Sequence, residues 1–222
     1  MYKGIIFDFN GTLMIDTVQQ EEAWNVVMQR HFGRPLRPGE FSGCFHGLSN
    51  VDILTYLNRQ DPEKQFDISI TDEKEEEYRN ICRNRPDICV FVPGVETLLN
   101  TLKEKGIPFC IATSSEITNV RFYFEVFGLS RWFASEDVIY DNRTFPLKPA
   151  PDCYLLSARH LGLSPEECIV CEDSLNGIRA AEAAGIGRII AANPVLKTDV
   201  IRSDPKVYAV IRDFTDFYTK YF

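Results

Sequence analysis

The sequence predicts an α/β fold: a parallel sheet with helices on both faces, interrupted by a small helical insert. Three observations predict it. Short apolar runs alternate with helical patterns over most of the 222 residues. The alternation lapses between about residues 15 and 92, where one helical pattern follows another. Residues with carboxylate, hydroxyl or ammonium groups stand at or just past the ends of the strand-like runs. Such β–α alternation pairs strands in parallel. Right-handed crossovers then bring the strand C-termini to one edge, where ligands bind.

In chain order, residues 4–9 read as a buried strand, 94–105 as a helix, 108–112 as a strand and 117–127 as a helix. Residues 150–161 form a further helical pattern, stopped by Gly162. A short apolar strand over 168–171 precedes an alanine-rich helix over 174–184, which ends at Gly185. Residues 187–191 and 207–211 read as two more strands. Within the insert, 18–32, 51–59 and 71–83 carry helical patterns, and Pro35, Pro38, Gly39, Gly43 and Gly47 punctuate the loops. Pro93-Gly94 returns the chain to the sheet pattern. The expected organisation is a core of residues 1–14 and 93–222 with an insert of 15–92, positioned as a lid. The acidic run from Asp72 to Glu77 reads as a solvated helix face.

Composition narrows the function. Hydrophobic residues make up 45% and charged residues 25%, an ordinary globular balance. The net charge of -8, with no long basic stripe, argues against a nucleic-acid partner held through phosphates. A small phosphorylated ligand needs only local positive charge and backbone N–H groups. No apolar stretch approaches the ~20 residues of a membrane span. Seven cysteines are scattered without a framework, and Met1 leads directly into the first strand. The expectation is a cytoplasmic protein with reduced thiols. Cys168 and Cys171 have C-x-x-C spacing, but strand geometry sends them to opposite faces, which disfavours a metal or redox pair. A monomer is the default.

Four segments carry the candidate chemistry: Asp8-Phe9-Asn10-Gly11-Thr12, Thr113-Ser114-Ser115, Lys148-Pro149-Ala150-Pro151-Asp152 and Glu172-Asp173. Each has a bland alternative. Asp8 could be a turn former, Thr113 and its neighbouring serines helix caps, Lys148 a solvated loop lysine, and Glu172-Asp173 a cap for the following helix. Their common order at strand ends is more specific. Together with Glu172-Asp173-Ser174 and Asn176-Gly177-Ile178, they resemble the haloacid dehalogenase (HAD) superfamily, in its β-phosphoglucomutase-like and phosphoglycolate-phosphatase-like branch. The resemblance spans nearly the whole chain and implies a HAD-like Rossmannoid core with a parallel sheet and a small α-helical cap domain.

The resemblance also implies roles. Asp8 would attack phosphorus and become an aspartyl phosphate. Mg²⁺ would be held by Asp8 and Asp173, by the backbone carbonyl of Asn10, and by Glu172 directly or through water. Thr113 would bind the transferring phosphoryl group, with Ser114 beside it and Gly11 allowing close backbone approach. Lys148 would neutralise the phosphoryl oxygens and screen Asp8 from the other carboxylates. The expected substrate is a small phosphorylated metabolite.

Asn10 departs from the family pattern, which has a second aspartate there to protonate the leaving oxygen and then activate water. An amide donates a hydrogen bond but no proton. Three outcomes compete: an attenuated phosphatase, a phosphomutase that retains its aspartyl phosphate longer, and a non-hydrolytic phosphometabolite-binding regulator. Gln20 stands where mutases carry a cap histidine, which weighs against the mutase. His46, in His46-Gly47-Leu48-Ser49, is a candidate substrate contact. Asn10-Gly11 is also a deamidation-prone dipeptide in flexible chains, although a tight loop should resist. A halide-removing enzyme would leave the Glu172-Asp173 pair without purpose. A phosphonatase would need a cap lysine; Lys64 and Lys74 qualify by residue type, but their charged neighbours point to exposure. No G-x-G-x-x-G follows the first strand, which disfavours a dinucleotide enzyme.

Overall fold

The computed structural model describes residues 2–63, 66–192 and 198–222. These residues contain one six-stranded parallel sheet, ordered β3-β2-β1-β4-β5-β6. The strands are β1 (Gly4–Phe7), β2 (Phe109–Glu116), β3 (Val138–Asp141), β4 (Cys168–Glu172), β5 (Arg188–Ala192) and β6 (Val207–Ile211). The central strands β1 and β4 are continuous apolar runs because both faces of a parallel sheet are covered. Ile5, Ile6, Phe7 and Cys168 through Cys171 have no solvent exposure.

Helices of the same unit are α4 (Val95–Glu104), α5 (Ile117–Phe127), α6 (Asp152–His160), α7 (Leu175–Ala183), α8 (Thr198–Ser203) and α9 (Phe217–Tyr221). One core cluster joins Ile6, Cys110, Val170 and Ile189 from the sheet to Tyr154, Ala158, Ile178 and Ala181 from α6 and α7. Alanines on α7 let that helix lie close to the sheet. Ser174 caps α7, its side chain accepting from Gly177 N at 3.1 Å.

The chain divides into two compact units, residues 1–15 with 90–222 and residues 16–89. The second unit is helical, with α1 (Thr17–Phe32), α2 (Asn50–Gln60), α3 (Ser69–Asn84) and a short π-helical turn at Phe41–Phe45. Trp24, Val27, Met28, Phe45, Ile53 and Leu57 form its core. Glu40 accepts two bonds from the Arg34 guanidinium, at 2.7 and 2.8 Å, and one from Arg37 N at 2.8 Å.

Several sequence expectations change in detail. The first strand ends at Phe7, so Asp8 begins the loop rather than lying inside the strand. The second strand runs on to Glu116, through the hydroxyl triplet, with a register irregularity against β3 between Ala112 and Glu116. The edge strand β3 was not expected; it is four residues long and mostly half-buried, too short for a clear alternation. The acidic run is only partly solvated. Asp72 and Glu76 are exposed, whereas Glu73 pairs with Arg30 and His31, and Glu75 accepts from Asn50 and Lys74. All seven cysteines are free thiols, and no helix among the described residues is long and apolar enough to cross a membrane.

Candidate active site

Strand register sets the site. Phe7 lies opposite Ile111 on β2 and Cys171 on β4, so Asp8, Ala112 and Glu172 follow at one level. Asp8 N donates to Cys171 O at 3.0 Å, which holds the start of the loop against β4. The loop then closes on itself. Leu13 N donates to Phe9 O at 2.9 Å, and Gly11 N to Met14 O at 2.7 Å. Gly11 has φ of +79°, and a Cβ there would stand 2.2 Å from Asp173 Oδ2. Only glycine combines that backbone conformation with that approach.

Lys148 is the hub. Its Nζ donates to Asp8 Oδ1 at 2.7 Å, to Glu172 Oε1 at 2.8 Å and to Ala112 O at 3.1 Å. It also lies 4.9 Å from the centroid of the buried Tyr154 ring. The peptide between Lys148 and Pro149 is cis. The side chains of Lys148, Asp8 and Glu172 are 6%, 9% and 1% exposed, so these charges meet almost without water. Glu172 spends its other oxygen on Ser174, accepting from the backbone N at 2.7 Å and from Oγ at 3.1 Å. A Cβ at Gly177 would fall 1.8 Å from Glu172 Oε1, so that glycine gives the carboxylate its space.

The cluster carries more negative than positive charge. Oxygens of Asp8, Glu172 and Asp173 lie within 4.8 Å of one another, all from buried residues. Burial pushes the Asp8 carboxyl up to about 7, against the pull of Lys148 and with a further push from Glu172. The two carboxylates hold the Lys148 ammonium well above its ordinary range despite its burial. Three clustered carboxylates, two of them paired with one ammonium, suit a small divalent cation. The side chain missing at Gly11 would have filled the approach to Asp173, which fits the same reading.

The neighbouring hydroxyl triplet divides its work. Thr113 is buried, and its Oγ1 accepts from Ser115 N at 3.1 Å, which leaves the hydroxyl proton to be donated elsewhere. Ser114 is exposed beyond it. Ser115 Oγ donates to Asn10 Oδ1 at 3.0 Å. Tyr123 Oη, from α5, donates to the same oxygen at 3.0 Å and lies 3.1 Å from Ser115 Oγ. The Tyr123 ring stacks on Phe9, with centroids 4.2 Å apart and planes 18° apart. Sequence reading missed Tyr123 because an aromatic on an amphipathic helix reads as core. Ser115 was visible only as part of the triplet.

Asp8, Asn10, Gly11, Thr113, Ser114, Ser115, Lys148, Glu172 and Asp173 thus all belong to the sheet-containing unit. His46 belongs to the helical unit, with its ring 6.2 Å from that of Phe41. Gln20 donates to Asp16 Oδ2 at 2.9 Å and accepts from Lys74. The expected exposure of Lys74 is wrong: it is 2% exposed, paired with Glu75 and lying over the Trp24 and Tyr78 rings. Those aromatics, a helical turn or more away in sequence, outweigh its acidic neighbours. Lys64 lies outside the described residues.

Comparison with known proteins agrees with this architecture. A haloacid dehalogenase-like hydrolase family profile matches residues 2–185. Hexitol phosphatase A of Escherichia coli is 32% identical over 191 residues, covering 86% of this chain and 83% of that protein. A HAD hydrolase of family IA, variant 3, from Entamoeba histolytica superposes with a TM-score of 0.86 at 31% identity, covering 97% of this chain and 95% of the other. CbbY of Rhodobacter sphaeroides, an aspartate-to-asparagine mutant in complex with xylulose-1,5-bisphosphate, gives a TM-score of 0.81 at 25% identity, over 97% and 96% of the two chains. With the profile covering most of its length and the sheet closing on a buried Asp8–Lys148–Glu172 cluster, this chain belongs to the haloacid dehalogenase-like hydrolases.

Proposed function

We propose that the chain is a Mg²⁺-dependent phosphatase of small phosphorylated carbohydrates, working through an aspartyl phosphate at Asp8 and slowed by Asn10. The observation that carries this reading is Lys148, buried and hydrogen-bonded to both Asp8 and Glu172. An ammonium so placed keeps Asp8 directed at one spot and balances charge as a phosphoryl group arrives. The hexitol phosphatase and the CbbY complex with a sugar bisphosphate support the substrate class.

Asp8 Oδ attacks phosphorus, the bond from phosphorus to the ester oxygen breaks, and the leaving alkoxide takes its proton from water. Water then attacks the acyl phosphate, phosphate departs and the Asp8 carboxylate is restored. Asp8, Asp173 and the backbone carbonyl of Asn10 would hold the cation, with Glu172 in support. When bound, the ion neutralises phosphoryl charge and so lets a carboxylate approach a dianion. Thr113 donates to a phosphoryl oxygen, with Ser114 at the rim. Glu172 holds Lys148 in line. His46, in the helical unit, is carried as a candidate substrate contact.

Asn10 supplies a hydrogen bond but no proton, and general acid–base help is worth roughly 10²–10⁴ in rate. The test is a panel of sugar phosphates and aryl phosphates with MgCl₂, using wild type, Asn10→Asp and Asp8→Asn. The proposal expects slow turnover in wild type, a gain in Asn10→Asp and none in Asp8→Asn. Tight ester binding without turnover in both wild type and Asn10→Asp would instead make the chain a phosphometabolite-binding regulator.

A further inference from the structure

We infer that Ser115 and Tyr123 are positioning residues that commit the Asn10 carbonyl, so that position 10 is built to present a hydrogen-bond donor to the phosphate ester. The inference rests on the phosphatase reading and concerns the same site.

Counting protons selects the amide orientation. Asn10 Oδ1, Ser115 Oγ and Tyr123 Oη form a triangle with edges of 3.0, 3.0 and 3.1 Å. Three oxygens share the two hydroxyl protons, and both hydroxyls are placed to donate to Oδ1. Flipping the amide would place four protons along the same three contacts. A flipped amide would set N–H against O–H and remove the acceptor that both hydroxyls now share. The amide is planar, so a committed carbonyl turns the NH₂ group away from the hydroxyls. Whatever meets its far end meets a donor.

The clamp is rigid on both sides. Tyr123 stacks on Phe9, the residue before Asn10, and Phe9 also packs edge-on against Phe127 at 5.5 Å. Ser115 is tied through its backbone N to Thr113 Oγ1 at 3.1 Å. The clamp therefore links the phosphoryl-binding threonine to the loop that carries Asp8. Two hydroxyls hold the amide oxygen, and a donor so fixed can stabilise charge on the leaving oxygen without giving up a proton.

Tyr123→Phe keeps the ring and removes only the hydroxyl; Ser115→Ala is its partner variant. With kcat and KM measured on alkyl and p-nitrophenyl phosphates, each variant is expected to lower kcat on the alkyl ester about three- to tenfold, the worth of one hydrogen bond. The p-nitrophenyl ester, whose leaving group needs little help, should change little, and KM should hold. In an Asn10→Ala background the effect of Tyr123→Phe should vanish. Equal losses on both esters, or a loss that persists with Asn10→Ala, would overturn the inference. A second readout does not depend on turnover. The side-chain NH₂ resonances of Asn10, assigned by their absence in Asn10→Asp, should move in Tyr123→Phe and Ser115→Ala. Unmoved resonances would refute the clamp even if the phosphatase reading stands. Moved resonances in a protein that turns over no ester would refute that reading alone.

Discussion

Lys148→Met removes the ammonium from the buried cluster while keeping a chain of similar length. Its consequences follow from the three bonds that Lys148 makes, to Asp8 at 2.7 Å, Glu172 at 2.8 Å and Ala112 O at 3.1 Å. Glu172 is 1% exposed and cannot turn to water for replacement. Removing one partner of a buried ion pair costs about 3–5 kcal/mol, because the charge left behind is uncompensated. For a chain of this size, each kcal/mol lowers the melting temperature by about 2–4 °C, so a fall of about 6–20 °C is expected in metal-free buffer. The carboxylates left behind should draw a cation more strongly, so MgCl₂ should raise the melting temperature of the variant more than that of wild type. Turnover should drop about 10²–10³-fold when measured below the variant's melting range, the size of losing one preorganised charge in the transition state. Calorimetric scans with and without MgCl₂, paired with kcat on one aryl phosphate, test both halves. Melting within a few degrees of wild type, with kcat unchanged, would refute the claim that Lys148 balances this cluster.

Other expectations follow from single features. Gly11→Ala would place a Cβ 2.2 Å from Asp173 Oδ2 at a φ of +79°, so turnover should be lost while the rest of the sheet unit stays folded by circular dichroism. Arg34 holds the Glu40 carboxyl below the usual carboxylate range. A depressed folded value stabilises above the unfolded value of about 4.3 and is lost as pH falls through the folded one. Wild type should therefore lose melting temperature below about pH 4 more steeply than Glu40→Gln. Gly11 N is engaged with Met14 O at 2.7 Å, which withholds the nucleophile that deamidation needs. Peptide mass spectrometry of aged protein should accordingly find no mass gain at Asn10, and a gain there would contradict the closed loop.

How much of this was legible beforehand depended on which residues carry local signals. The core strands announce themselves because runs such as Gly4–Phe7 and Cys168–Glu172 are buried on both faces and therefore continuously apolar. Asp8 and Glu172 were legible because each stands at or just past the end of such a run, and Lys148 because it completes the motif order of the family that the chain resembles. The strand Val138–Asp141 was not, since a short, half-exposed edge leaves no periodicity to read. Tyr123 is 113 positions from Asn10, and its ring does core work against Phe9 while its hydroxyl does something else. Lys74 was misread because flanking charges described its neighbours along the chain, whereas Trp24 and Tyr78 decide its surroundings. For Tyr123 and for Lys74 over Trp24, the deciding partner is distant in sequence.

The central claim is that Asp8 takes the phosphoryl group. Acid quench during turnover of a sugar phosphate with MgCl₂, followed by borohydride reduction, converts an acyl phosphate to homoserine in the peptide that carries it. The account predicts homoserine at position 8 in wild type and none in Asp8→Asn. Release of phosphate with Asp8 unmodified at every time point, or reduction at another carboxylate, would contradict it.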